Sequence, residues 1–193
     1  FLAIEKFEAS RSKFLLYTIP LIFIIWANVH GGVVAGLGLF GIYSLFSLIR
    51  TRNRSPLPAI VTAISLLATL INPYVIQYWD YLLSASTMHR PTITEWAALA
   101  LPSGILTFTL IGVALFALLR CQSQIAPYSI PLLIAAAYVA IRHARLAAIF
   151  DLTAIVFLAP ALSYLFADMR RRLPELSIKL ARATTVVICG IAV

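Results

Sequence analysis

The chain alternates long apolar runs with short polar breaks, and six of those runs approach or exceed the length a helix needs to cross a bilayer. A seventh run begins near Ala183 and stops at Val193. Apolar residues make up 62% of the sequence and charged residues 11%, whereas soluble domains stand nearer to half and a quarter. The expected fold class is therefore all-α: a polytopic transmembrane helical bundle of six full spans plus a truncated seventh. One interfacial amphipathic helix is expected on its outer face.

The breaks set the boundaries. A single helix over 14–49 is nearly twice as long as the about 20 residues of a span, and the Gly31–Gly32 pair in "NVHGG" is the natural place to divide it. Pro20 is expected to break the first of the two resulting helices in mid-course. In "RTRNRSPLP", Ser55 suits an N-cap and Pro56 a first helical residue. The spans are expected at about 14–29, 33–49, 56–72, 102–119, 127–141 and 146–167, with part of a seventh over 183–193. Between the third and fourth lies an outer interfacial segment, 73–96. Within it Val75, Ile76, Trp79, Leu82 and Leu83 follow helical spacing, with Gln77, Asp80 and Ser84 opposite them.

Lys and Arg counts orient the bundle. With residues 1–13 on the cytoplasmic side, twelve basic residues fall on inner segments and three, Arg90, Arg142 and Arg145, on outer ones. The formal charge of +8 thus reflects helix ends and topology, and no nucleic-acid partner is expected. The first thirteen residues are amphipathic and mixed in charge, unlike a signal peptide. Opening on Phe1 and ending inside an apolar run, the sequence is read as a piece of a longer protein. Cys121 and Cys189 lack metal-ligand spacing and are expected to be free thiols in apolar surroundings.

The exceptions to the topology rule carry the chemistry. "AIRHARLAAIFD" places Arg142, His143 and Arg145 in an outward turn, where guanidinium groups suit a phosphate; a solvated turn is the alternative. Asp151 falls about 9 Å deeper than Arg145 if the segment is helical. A lone carboxylate at mid-span costs roughly 2.5–3.5 kcal/mol, so Asp151 is expected as a buried polar group facing protein, bonded through Asn28, Asn72 or Arg145. Asn28 and His30 stand at the same outer level as the arginines. The steps Gly32–Gly36 and Gly31–Ala35–Gly38 suggest tight helix packing. No nucleotide-binding, nucleophile-elbow or zinc-protease motif is found, and no cofactor is evident.

Three stretches, "LIFIIWANVHGGVVAGLGLFGIYSL", "LLATLINPYVIQYWDYLL" followed by "ITEW", and "AIRHARLAAIFDLTAIVFLAP", occur in an order that resembles the C-terminal membrane region of a family of bacterial polytopic membrane proteins. That family is similar to the GT-C class of integral-membrane glycosyltransferases. The resemblance covers roughly residues 11–165. It implies a glycosyltransferase of the bacterial cytoplasmic (inner) membrane, moving sugar from a polyprenyl-phosphate carrier at the outer face. Its partners would be membrane lipids and a lipid-linked sugar donor. Arg142, His143 and Arg145 would bind the lipid phosphate, and His30, Arg90 and Asn28 would line the cleft. The catalytic residue remains unknown: the class keeps an acid in its first outer loop, ahead of these residues, as a base or as holder of a divalent metal. Neither Asp80 nor Glu95 is assigned that role. The rivals are a transporter or flippase of an anionic lipid, which would need inward access, and a non-catalytic membrane scaffold.

Overall fold

The computed structural model describes the backbone of residues 1–50, 55–88 and 93–191, with side chains through Arg171 apart from Arg50, Ser86 and Thr87. The chain is all-helical, with no strand among the described residues. In chain order the α-helices are α1 (Leu2–Ser10), α2 (Phe14–Val29), α3 (Val33–Arg50), α4 (Leu57–Ala68), α5 (Gln77–Thr87), α6 (Ile105–Arg120), α7 (Ser129–Arg142) and α8 (Ala147–Ile191). Three single turns of 3-10 helix, Thr94–Trp96, Gln122–Gln124 and Ala144–Leu146, lie between them.

Most boundaries follow the polar breaks. α2 ends one residue before His30, whose extended backbone (φ −157°) turns the chain at the two glycines. α2 runs through Pro20 without the expected break: a proline deprives a helix of only one main-chain bond, and packing holds the turns on either side. α4 starts one residue later than expected, so Pro56 and not Ser55 holds the N-cap position, and Ser55 Oγ accepts from Leu57 N–H at 3.4 Å.

The largest departure is α8. A break was expected between 167 and 183, yet the helix continues unbroken to Ile191. Arg and Leu are good helix formers, so a basic stretch that marks a membrane boundary need not end a helix. Residues 144–171 form one helical stretch that is long and apolar enough to cross a membrane. Five shorter apolar helices, α2, α3, α4, α6 and α7, accompany it.

Two groups make the bundle: α2, α3 and α4 pack together, α7 and α6 pack on α8, and α3 meets α7 to join them. The core between them holds Leu16, Val33, Tyr43, Leu132, Phe150 and Leu158. Much of the outside is equally apolar, with Phe14, Val29, Ile49 and Leu119 (84% exposed) facing away from the core. Of the glycines, Gly36 packs closely, since a Cβ there overlaps the Trp26 ring, whereas nothing lies within 4 Å of one at Gly38. Gly36 of the first step and Gly31 of the second thus meet side chains of other helices, and Gly38 does not.

At the end formed by the N-terminus of α7 and the C-terminal half of α3, α1 lies across the bundle. Tyr43 Oη donates to Glu8 Oε1 (2.6 Å) and Tyr128 Oη to Glu5 Oε1 (2.8 Å). Ile4 and Phe7 are buried beneath it, and Phe1 meets the Phe157 ring edge-on at 5.3 Å. Cys121, a free and buried thiol, belongs to the core. The side chain of Cys189 falls outside the described residues.

Candidate functional site

At the opposite end the breaks of the sequence come together. The turn after α7 is fixed by main-chain bonds to the segment before α6: Leu99 N–H donates to Ile141 C=O (2.9 Å), and Ala144 N–H to Ala97 C=O (3.0 Å). This pairing sets Trp96 beside His143, ring against ring at 5.9 Å, with His143 Nδ1 3.1 Å from the Trp96 carbonyl. A carbonyl can only accept, so His143 carries its proton on Nδ1.

Arg145 reaches from this turn to two others. Its Nη1 is 3.3 Å from Glu95 Oε2, its Nη2 is 3.2 Å from His30 Nε2, and its guanidinium carbon lies 5.8 Å from the centre of the Trp96 ring. The Glu95 pair is well exposed (42% and 63%), which places it among surface ion pairs worth about 0–1 kcal/mol. His30 is held from behind, because the Gly32 N–H donates to its Nδ1 (2.8 Å). A Cβ on Gly32 would sit 2.7 Å from that nitrogen, so the glycine permits the close approach. With Nδ1 accepting, the neutral imidazole keeps its proton on Nε2, and two donors then face one another.

The expected phosphate group is thus only partly assembled. Arg145 and His30 meet, while His143 is turned to Trp96. Arg142, exposed at the C-terminal end of α7, takes part in no hydrogen bond or ion pair among the described residues. Arg90 lies outside the described residues. Glu95 and Trp96, the partners of Arg145 and His143, had not been given those roles; the only signal for them was the "EW" pair in the outer segment.

Asn28 does line a cleft, and its Nδ2 donates to the carbonyls of Ile24 and Ile71, both at 2.8 Å. This ties the C-terminal end of α2 to the end of α4. Asn72 closes its own turn, giving Nδ2–H to Thr69 C=O and accepting from Tyr74 N–H at Oδ1. Neither asparagine reaches Asp151, nor does Arg145. Asp151 Oδ2 instead receives the Thr107 hydroxyl of α6 (3.3 Å), and its Oδ1 is buried without a hydrogen-bond partner. Asp151 as a whole is half-buried, and the partner expected for it is corrected to Thr107.

The cleft, a cavity of about 680 Å³, opens between the C-terminal end of α2 and α5. The α5 helix is docked by Trp79, whose Nε1–H donates to Thr69 Oγ1 (3.0 Å), and by Leu82, which approaches Gly31. Of the five residues expected on one apolar face, Val75 and Ile76 precede the helix. Tyr78 and Leu82 are buried, whereas Val75, Ile76 and Leu83 are exposed. Just ahead of α5, Val75 has a φ of 47°. A β-branched residue in that region is strained. Burial pushes the Tyr78 phenol above its ordinary pKa, and its hydroxyl is buried without a hydrogen-bond partner.

Comparison of the chain with protein-family models, curated proteins and solved structures finds no match.

Proposed function

We propose that this chain is the donor-binding membrane part of a GT-C-like glycosyltransferase, which takes sugar from a polyprenyl-phosphate carrier at the outer face of a bacterial cytoplasmic membrane. The supporting observation is the meeting of His30 and Arg145, which face each other as donors with Arg142 on the same turn as the arginine. A phosphate oxygen between them would accept from both, the match that charge-assisted phosphate contacts require. In this reading α2, α3, α4, α6, α7 and the first part of α8 are six spans, with residues 1–13 cytoplasmic, and the apolar surface, poorly suited to water, faces lipid. Arg142 and Arg145 hold the carrier phosphate as leaving group, while His143 and Trp96 fix their turn. No residue here is assigned as the catalytic acid. A transporter or flippase would use the same arginines but needs a path inward, and α1 lies across that end with both glutamates bonded.

The test is a titration of undecaprenyl phosphate against the full-length protein in nanodiscs. Wild type is expected to saturate, and Arg142→Ala plus Arg145→Ala to bind at least tenfold more weakly, since each charged hydrogen bond contributes about 1.5–3 kcal/mol. Equal binding by both proteins overturns the proposal.

A further inference from the structure

The cavity and the donor pair at its edge are chemically opposite. Asn28 has given both amide hydrogens to carbonyls, so its Oδ1 is left to accept. Tyr74, Gln77 and Tyr81 line the cavity with exposed side chains that take part in no hydrogen bond among the described residues. The two phenol rings add π-faces, the negative side of an aromatic quadrupole. No Asp, Glu, Lys or Arg lines the cavity among the described residues. His30 forms one of its walls and stands against Arg145, donor facing donor.

The two halves call for opposite charges. An anion suits His30 and Arg145, but in the cavity it would meet lone pairs and ring faces. A cation suits acceptor oxygens and tyrosine rings, but a free one would enter the cavity without a countercharge. A molecule that carries both charges a short distance apart satisfies both halves and brings its own countercharge. Its phosphate lies between the donors and its ammonium in the cavity. An acyl chain, by contrast, would cover amide and phenol groups without replacing their hydrogen bonds to water. At about 680 Å³ the space accommodates a small polar group and far exceeds one water.

We infer that the cavity between the C-terminal end of α2 and α5, together with His30 and Arg145, binds an aminoalkyl phosphodiester, the zwitterionic chemistry of an ethanolamine phospholipid headgroup. The ammonium donates to Asn28 Oδ1 and packs on the rings of Tyr74 and Tyr81. The phosphodiester accepts from His30 Nε2 and Arg145 Nη2. Glu95, on the other side of the guanidinium, does not line the cavity, so the ammonium is read by rings and amide oxygens and not by a carboxylate. The site shares its two donors with the proposed function but does not depend on a carrier, because undecaprenyl phosphate has no ammonium to offer the tyrosines. Headgroup and carrier compete for Arg145.

The experiment uses full-length protein in nanodiscs of phosphatidylglycerol, titrated with sn-glycero-3-phosphoethanolamine and sn-glycero-3-phosphoglycerol in saturation-transfer NMR. Both probes are phosphodiesters, and only the first has an ammonium. Wild type is expected to bind the first at least about fivefold more tightly, the order a cation–π contact supplies. Tyr74→Leu plus Tyr81→Leu, at two exposed positions, is expected to cut that preference below about twofold and to leave binding of the second probe unchanged. Tyr74→Phe plus Tyr81→Phe keeps both rings and is expected to keep the preference. Arg145→Ala is expected to weaken both probes at least about fivefold, and an unchanged melting temperature shows that the variants fold. Equal binding of the two probes by wild type, binding of neither, or a preference that survives the loss of both rings overturns the site. A second arm adds phosphatidylethanolamine to the nanodisc. Displacement of the soluble probe identifies the lipid headgroup as the ligand, and an unchanged affinity identifies a free phosphodiester and keeps the site. The undecaprenyl phosphate titration separates the two proposals: if the carrier does not bind while the ring-dependent preference holds, the donor reading fails and the headgroup site stands.

Discussion

His30 and Arg145, 115 positions apart in sequence, stand with Nε2 and Nη2 3.2 Å from each other, while Glu95 holds the other side of the guanidinium. The carboxylate competes with any anion for Arg145. Glu95→Gln is therefore expected to tighten undecaprenyl phosphate binding by up to about fivefold, the equivalent of a surface ion pair of about 1 kcal/mol. The gain is expected to shrink in high salt, which screens exposed charges. Weaker binding by Glu95→Gln in the nanodisc titration would mean that the pair positions Arg145 instead of competing for it.

The two histidines of the site are expected to hold opposite tautomers when neutral. His30 accepts at Nδ1 from an amide, so its proton belongs on Nε2; His143 faces a carbonyl with Nδ1, so its proton belongs there. Nitrogen-15 NMR of histidine-labelled protein, with His30→Asn and His143→Asn to assign the signals, distinguishes the two forms. The same tautomer at both positions contradicts the geometry.

Gly36 and Gly38 are expected to respond oppositely to alanine. A Cβ at Gly36 overlaps the Trp26 ring, which Phe23 holds by stacking at 5.9 Å. Gly36→Ala should therefore destabilise by about 1–3 kcal/mol through overpacking. Nothing opposes a Cβ at Gly38, and Gly38→Ala should stabilise by about 0.5–1 kcal/mol through backbone entropy. Reversible unfolding in mixed micelles measures both, and equal effects would remove the distinction.

Tyr43→Phe is expected to loosen α1. The buried Tyr43 hydroxyl donates to Glu8, and a hydrogen bond to a charged group contributes about 1.5–3 kcal/mol. Hydrogen exchange over residues 2–10 should quicken while α2 keeps its protection. Unchanged exchange in α1 would show that Ile4 and Phe7 alone hold it.

The helix ends at 29 and 33 were legible because glycine and an extended histidine act locally. So was the turn that carries Arg142 and Arg145, which a polar cluster sets between two apolar runs. The companions of that turn were not legible. Glu95 lies 50 positions from Arg145 and His30 lies 115, and no local pattern signals contacts that depend on packing. Tyr78 was hidden for another reason. Period counting ran one helix from Val75 to Leu83, whereas α5 starts at Gln77 and buries Tyr78 with Leu82. The continuous α8 escaped because charge says where a membrane ends, not where a helix ends.

The position of α1 gives the bundle a direction. One end opens on a cavity lined by amides and phenols; the other is covered by a helix fastened through Glu5 and Glu8. A bundle so built is fastened at one end and open at the other, so loosening α1 and filling the cavity are separate local events.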